Sequence, residues 1–399
     1  MLAFGVLAMA TSGFGQTFFI AVFGGEIRAA FGLSHTAYGT LYSLATVFSA
    51  ALLLRAGTWA DRWPLERVAT VAVLLLALGC LTIGLAPHAA VLTLGFVLIR
   101  FGGQGLIAHL AMTTAGRYFS VNRGKAIAIT ATGIPLAEAC LPLAALVLLG
   151  LAGWRAPWLV AAALLILVVL PSLLALARRS GAPVHSSSVA TPSGPRHFTR
   201  REALRDPGLY MLLPAVLAAP FVVTAVLFHQ AALAQARDWP LELVATAFTG
   251  FAAGHLLALG VAGPLVDRIG AHRGLALALI PMAAGLTVLA AVPPVWAAFV
   301  YLALTGMTVG GVATASGAIW PERYGTRYLG AIRAVAQAAM VVSTAVAPVL
   351  LGWLLDRGWA VATIGGMLAT ATVVAALLAL AAPPPRDGAP PTAAGDTGR

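Results

Sequence analysis

The chain has 399 residues, of which 60% are hydrophobic and only 9% charged, with a formal net charge of +11. A soluble domain carries roughly 25% charged residues, so this composition excludes one and predicts a polytopic membrane protein. The basic residues lie in short segments between apolar stretches, which excludes a nucleic-acid partner and makes their charge a matter of orientation in a bilayer.

In chain order, twelve apolar stretches are long enough to cross ~30 Å of hydrocarbon at about 20 residues apiece. Six fall at about 2–25, 37–56, 68–86, 90–113, 126–149 and 158–177, and six at about 208–232, 241–262, 274–292, 295–316, 331–353 and 359–380. The first is read as a span and not as a cleaved leader, because no basic residue precedes it and it exceeds the roughly 7–15 apolar residues of a leader. The predicted organisation is a six-helix half at 1–177, a polar linker at 178–207 with Ser186, Pro192 and Pro195 among its residues, a second six-helix half at 208–381, and a tail at 382–399 too poor in apolar residues to fold. Cys80 and Cys140 lie within spans and read as packing residues.

Arg and Lys collect on one set of connections. Arg62, Arg67, Arg117, Arg123, Lys125, Arg268, Arg273, Arg323, Arg327 and the linker arginines lie there, against Arg28, Arg155, Arg237 and Arg357 on the other. The first set is therefore expected on the cytoplasmic side of the cell inner membrane, with both termini inside.

The two halves are copies. At an offset of 206 residues, Gly57, Asp61, Arg62, Arg67, Gly105, Arg117, Tyr118, Gly124 and Pro142 recur as Gly263, Asp267, Arg268, Arg273, Gly311, Arg323, Tyr324, Gly330 and Pro348. Duplicated halves of apolar spans are a frequent plan of secondary transporters, with the substrate site where the halves meet. The loop after the second span reads Gly57-Thr-Trp-Ala-Asp61-Arg62-Trp-Pro64-Leu-Glu-Arg67, and its copy reads Gly263-Pro-Leu-Val-Asp267-Arg268-Ile-Gly270-Ala-His-Arg273. An Asp just before a helix N-terminus is favoured there by roughly 0.3–1 kcal/mol, and the arginines hold the loop at the membrane face.

These paired loops resemble those of the major facilitator superfamily, with Pro64 standing where the first copy should have its inner glycine. The resemblance implies an all-α membrane protein of twelve helices in two pseudo-symmetric halves. It also implies a gate at Gly57, Asp61, Arg62, Arg67, Gly263, Asp267, Arg268 and Arg273 that forms and breaks as the halves rock. Arg117-Tyr118-Phe119 with Arg123-Gly124-Lys125-Ala126, and Gly153-Trp154-Arg155 after the fifth span, look like the corresponding stretches of monocarboxylate porters and oxalate/formate exchangers. Those porters' acidic-Gly-Trp motif in the first span and intramembrane Asp and Arg in the eighth have no counterpart here.

Charged groups at membrane depth mark ion or substrate paths. Arg100 lies ~15 Å into the fourth span and Glu138 ~18 Å into the fifth at about 1.5 Å per residue, so both fall near the midplane. Their counterparts in the second half are Gly306 and Thr344, which confines the charges to one half. A guanidinium there suits an anion, because its planar fork holds a carboxylate with two bonds, and a glutamate beside it can carry a proton. The alternative for the two is a shut structural ion pair. Gln16, Thr17, Gln104, His229 and Gln230 are further substrate-binding candidates, and His255 is a second proton-coupling candidate. For the glutamines, Gln337 included, helix-to-helix hydrogen bonding is the competing explanation, and Arg333 is placed to snorkel to the surface.

The sequence holds no nucleotide-binding loop, no metal-ligand spacing and no nucleophile motif, so no enzyme, cofactor or metal is expected. The reading is a monomeric, proton-coupled secondary transporter of a small organic solute, leaning to a monocarboxylate-like anion. Its alternatives are a proton-coupled drug or metabolite exporter, which the Arg100-Phe-Gly-Gly-Gln-Gly105 run also resembles, and a non-transporting sensor or scaffold.

Overall fold

The computed structural model describes residues 1–56, 59, 63–119, 123–179, 198–325 and 328–384, apart from the side chains of 116, 117, 123, 124, 330, 331 and 334. Among them every regular element is helical. Twelve helices can cross a membrane: α1 (Leu2–Ala21), α2 (His35–Ala56), α3 (Leu65–Gly84), α4 (Ala89–Ala115), α5 (Lys125–Ala152), α6 (Ala156–Arg178), α7 (Pro207–Phe228), α8 (Leu241–Ile269), α9 (Ala271–Ala291), α10 (Trp296–Tyr324), α11 (Val335–Asp356) and α12 (Val361–Ala381). The duplication is exact enough in backbone that Leu241, Ala271 and Leu329 open their helices 206 residues after His35, Leu65 and Arg123.

Apolar side chains cover the outside of the bundle. Leu54 is 84% exposed, Leu151 78% and Leu167 72%, which water would penalise by their whole transfer free energy and lipid would not. Cys80 is buried, as expected of a packing residue, whereas Cys140 is exposed. Inside, small residues let backbones touch, as where Gly254 of α8 meets the Ala303 carbonyl and Gly306 of α10 meets that of Phe251.

Several ends differ from the sequence expectation. The first span stops at Ala21 and a separate helix, Gly24–Phe31, follows it, closed by Gly32 at φ 61°. The seventh stops at Phe228, where His229 bends the chain into a short helix, Gln230–Gln235. Helices α8 and α10 run on past residues 262 and 316 to Ile269 and Tyr324, because no chain break intervenes before Gly270 (φ 83°) and Gly325 (φ 75°). At the start of α7, Asp206 caps the Gly208 amide at 3.0 Å and Pro207 takes the first turn, where its missing donor costs nothing.

The halves meet along two related seams, α2 against α11 and α5 against α8, with α1 touching α7 between them. The α2–α11 seam is tightest at the His35 end. A Cβ on Gly39 would stand 2.7 Å from the Pro348 carbonyl, and one on Gly352 would stand 2.6 Å from that of His35. At the same end the Asp356 carboxylate accepts the His35 amide at 2.9 Å and the Thr36 amide at 2.7 Å, completing the first turn of a helix that belongs to the other half. One turn further in, Tyr38 stacks on Phe228 of α7 at 4.5 Å and Tyr42 packs on the same ring at 4.4 Å.

Candidate functional site

Beneath that aromatic plug lies a cavity of about 410 Å³ between the halves. Gln16, Thr17, Arg100, Gln104, Glu138, His255 and Gln337 all line it, so midplane polarity in the sequence led to one place. The liners nearest the plug, Thr17, Thr224 and Leu227, are buried, while Ala50, Leu53 and Met340 are partly exposed and Gln337 is exposed. The cavity is therefore shut at the His35 end and opens toward the Ala56 end of α2 and the beginning of α11.

Two irregular stretches build the wall at Arg100. Helix α1 breaks: a tight turn at Ser12–Gly15 leads to Gln16 in extended backbone (φ −91°, ψ 158°), and the helix restarts at Thr17. Across from it α4 widens into a π-helical stretch, Arg100–Ile107, a form that recurs at functional sites. The two interlock so closely that any Cβ on Gly15 would collide with the Ile99 carbonyl. Their counterparts in α7 and α10 are uninterrupted α-helix. The break in α1 was not expected from the sequence, where Gly13 and Gly15 beside a lone glutamine in an apolar run were the available signal.

Arg100 is 1% exposed and poorly satisfied. One guanidinium nitrogen donates to the Gly15 carbonyl at 3.3 Å, Nε has no partner, and the group lies over the Tyr42 ring at 4.8 Å. The Tyr42 hydroxyl is held in turn by Thr17 at 2.7 Å. A guanidinium offers five N–H donors, and a buried cation with so few partners favours an anion strongly.

The expected alternative of a shut Arg100–Glu138 ion pair is not formed. Glu138 turns across the seam, and its Oε2 accepts from Nδ1 of His255 at 2.9 Å, with both side chains under a tenth exposed. Neighbouring spans do bring Arg100 and Glu138 to one cavity, but the side chains point to different partners because α5 packs on α8 while α4 packs on α1. The repeat equivalents of Glu138 and His255 are Thr344 and Ser49, which line the same cavity from the α2–α11 seam. Tyr42, Ser49 and Thr46 were missed in the sequence because uncharged residues within a span carry no mark of depth or face.

His229 and Gln230 lie elsewhere. His229 is 2% exposed in the plug, bonded through Nε2 to the Pro348 carbonyl at 2.8 Å, and Gln230 accepts the Tyr301 hydroxyl at 2.5 Å. Of the loop residues, Gly57, Asp61 and Arg62 lie outside the described residues. Arg67 is exposed and covers the Trp63 ring at 4.5 Å. In the second copy Gly263 is partly exposed, and Asp267, Arg268 and Arg273 are exposed. Asp267 sits in the last turn of α8, not just ahead of α9, because α8 continues to Ile269. The first amide of α9, Ala271, is taken instead by Glu322 of α10 at 3.0 Å. Beside it, Arg323 and Tyr324 bind Asp206 at 2.8 and 2.7 Å, tying the start of α7 to the end of α10.

Two six-helix halves closed at one end around a polar midplane chamber define a membrane transporter of the duplicated-half type. The chain belongs to the Major Facilitator Superfamily, whose model matches residues 5–243 and 221–398. No curated protein sequence matches it. Among solved structures it is similar to a bacterial homologue of the human lysosomal transporter Spinster. The inward-facing, unoccupied form is 18% identical with a TM-score of 0.69, covering 96% of this chain and 93% of that one. The inward-facing, occupied form is 16% identical with a TM-score of 0.71, covering 95% and 92%. At such identities the likeness is one of fold.

Proposed function

We propose that this transporter moves a small organic anion with a monocarboxylate-like head by alternating access, with proton coupling through Glu138 and His255. The observation that carries this reading is the under-satisfied Arg100 guanidinium in a chamber shared by both halves. Arg100 anchors the carboxylate, Gln16 and Gln104 supply hydrogen bonds around it, and Phe18, Ile134 and Phe251 receive the apolar part of the solute.

With the arginine-rich loops on the cytoplasmic side, the sealed His35 end faces outward and the chamber opens inward. Glu138 and His255 then hold the halves together across the second seam. A proton on Glu138 removes its charge, weakens the attraction to His255 and lets the seam part, so proton and anion movement are linked through one contact. The apolar wall also favours a second reading, a proton-coupled exporter of lipophilic compounds, which differs in needing no anion at Arg100.

Purified protein in vesicles tests both. Glu138→Gln, which mimics the protonated carboxyl, should lose proton-driven accumulation of a short carboxylate yet keep its binding, and Arg100→Ala should lose the binding itself. Well-folded Arg100→Ala that binds and transports carboxylates at the wild-type rate overturns the anchor role and favours the exporter.

A further inference from the structure

The plug between the halves contains a second set of ionisable groups that the chamber does not use. His229, from the second half, is buried at the seam with its ring 5.6 Å from that of His35 in the first half. Arg28 approaches from the helix between α1 and α2, Asp356 from the end of α11, and the buried Tyr38 hydroxyl from α2 makes no hydrogen bond. Thus two imidazoles and a guanidinium converge from the two halves beside the exposed Asp356 carboxylate, which already accepts the His35 and Thr36 amides.

The bond from His229 to the Pro348 carbonyl places the hydrogen of the neutral ring on Nε2, which leaves Nδ1 as the atom a proton would join. In the sealed state that proton would bring a charge onto a buried ring beside the partly exposed His35 and Arg28. The desolvation and the repulsion both oppose it, and both vanish when the halves part and water enters.

We propose that His229 is a proton-binding site of the outer gate: the sealed plug excludes a proton from Nδ1, the opened plug accepts one from outside water, and external acid therefore opens the gate. This rests on the alternating-access reading above, and it adds a proton site separate from Glu138 and His255. Burial first, with Pro348 opposing it, His35 and Arg28 adding to it and Asp356 opposing, holds the imidazolium of His229 down at about 4. Opening returns the ring toward the ordinary 6.5. The open state binds more protons, so sealing is favoured above about pH 6.5 and is lost progressively as pH falls toward about 4. Between about pH 7.5 and 5.5 the ratio of open to sealed molecules should rise roughly tenfold.

The experiment uses the full-length protein in nanodiscs with Cys80 and Cys140 replaced and spin labels at Ala30 and Thr363, exposed positions on the two halves. Pulsed electron resonance reads the distance between the labels at about pH 7.5 and 5.5. With the other proton site removed in Glu138→Gln, acid should populate a longer distance roughly tenfold more, and adding His229→Gln, which keeps a donor for Pro348, should remove the response. Loss of the response in Glu138→Gln, or its retention when His229→Gln is added, overturns the proposal. So does a wild-type distance that lengthens with added propionate but not with acid, a result that needs no variant to fold. A distance fixed against both acid and propionate instead removes the reading of an alternating-access carboxylate carrier.

Discussion

Gly39→Ala perturbs the seal by a single methyl group. Its Cβ would stand 2.7 Å from the Pro348 carbonyl oxygen, about 0.7 Å short of the 3.4 Å at which ordinary contact begins, and the obstructing atom is backbone. Neither helix can yield by rotating a side chain, so α2 and α11 must separate locally. Overpacking of this kind costs typically about 1–3 kcal/mol. The cost falls on the sealed state alone, since nothing opposes the methyl once the halves part, so the open state should gain roughly 5- to 150-fold. Leu227 reports it, being 1% exposed beneath the plug and lining the chamber. A Leu227→Cys chain lacking Cys80 and Cys140, treated from outside at fixed pH with a membrane-impermeant maleimide, should label faster by about that factor when Gly39→Ala is added. Gly25→Ala, where a Cβ meets nothing within 4 Å, is the control and should leave the rate unchanged. An unchanged rate in correctly folded Gly39→Ala, or an equal rise in Gly25→Ala, refutes the backbone seal.

Asp206→Asn should destabilise the start of the second half by roughly 3 kcal/mol, because Arg323 is left without its buried counter-charge. A fall in the thermal midpoint of purified protein checks it, and the midpoint should be partly restored in Asp206→Asn combined with Arg323→Met. Topology has its own test: single cysteines at Ser187 and Thr392 should resist an impermeant reagent in intact cells and react after the membrane is opened.

How far the sequence reaches can be seen residue by residue. The 206-residue register and the length of the apolar runs carry the twelve helices and the duplication, because both follow from local composition. Arg100, Gln16, Thr17, Gln104, Glu138 and His255, singled out as polar groups within apolar spans, line one chamber, as does Gln337, for which the sequence favoured helix-to-helix bonding. Partner choice was not legible. Depth along a span fixes height but not which face of the helix meets which neighbour, and this is why Glu138 meets His255 and why His229 and Gln230 fall in the plug. Nor could the α1 break be read: at it Gly15 fits tightly against Ile99, a contact between segments some eighty residues apart.

A descendant of two identical halves would begin with two identical seams, each making every contact of the other. Here the seams have parted ways. Leu241 and Gly150 stand where the α5–α8 seam would repeat His35 and Asp356, and Ser49 and Thr344 stand where the α2–α11 seam would repeat His255 and Glu138. One joint has kept the bolt and the other the charge. A self-paired assembly of identical halves would have to present both chemistries twice or neither at all; one chain of two unequal halves can assign each to its own joint.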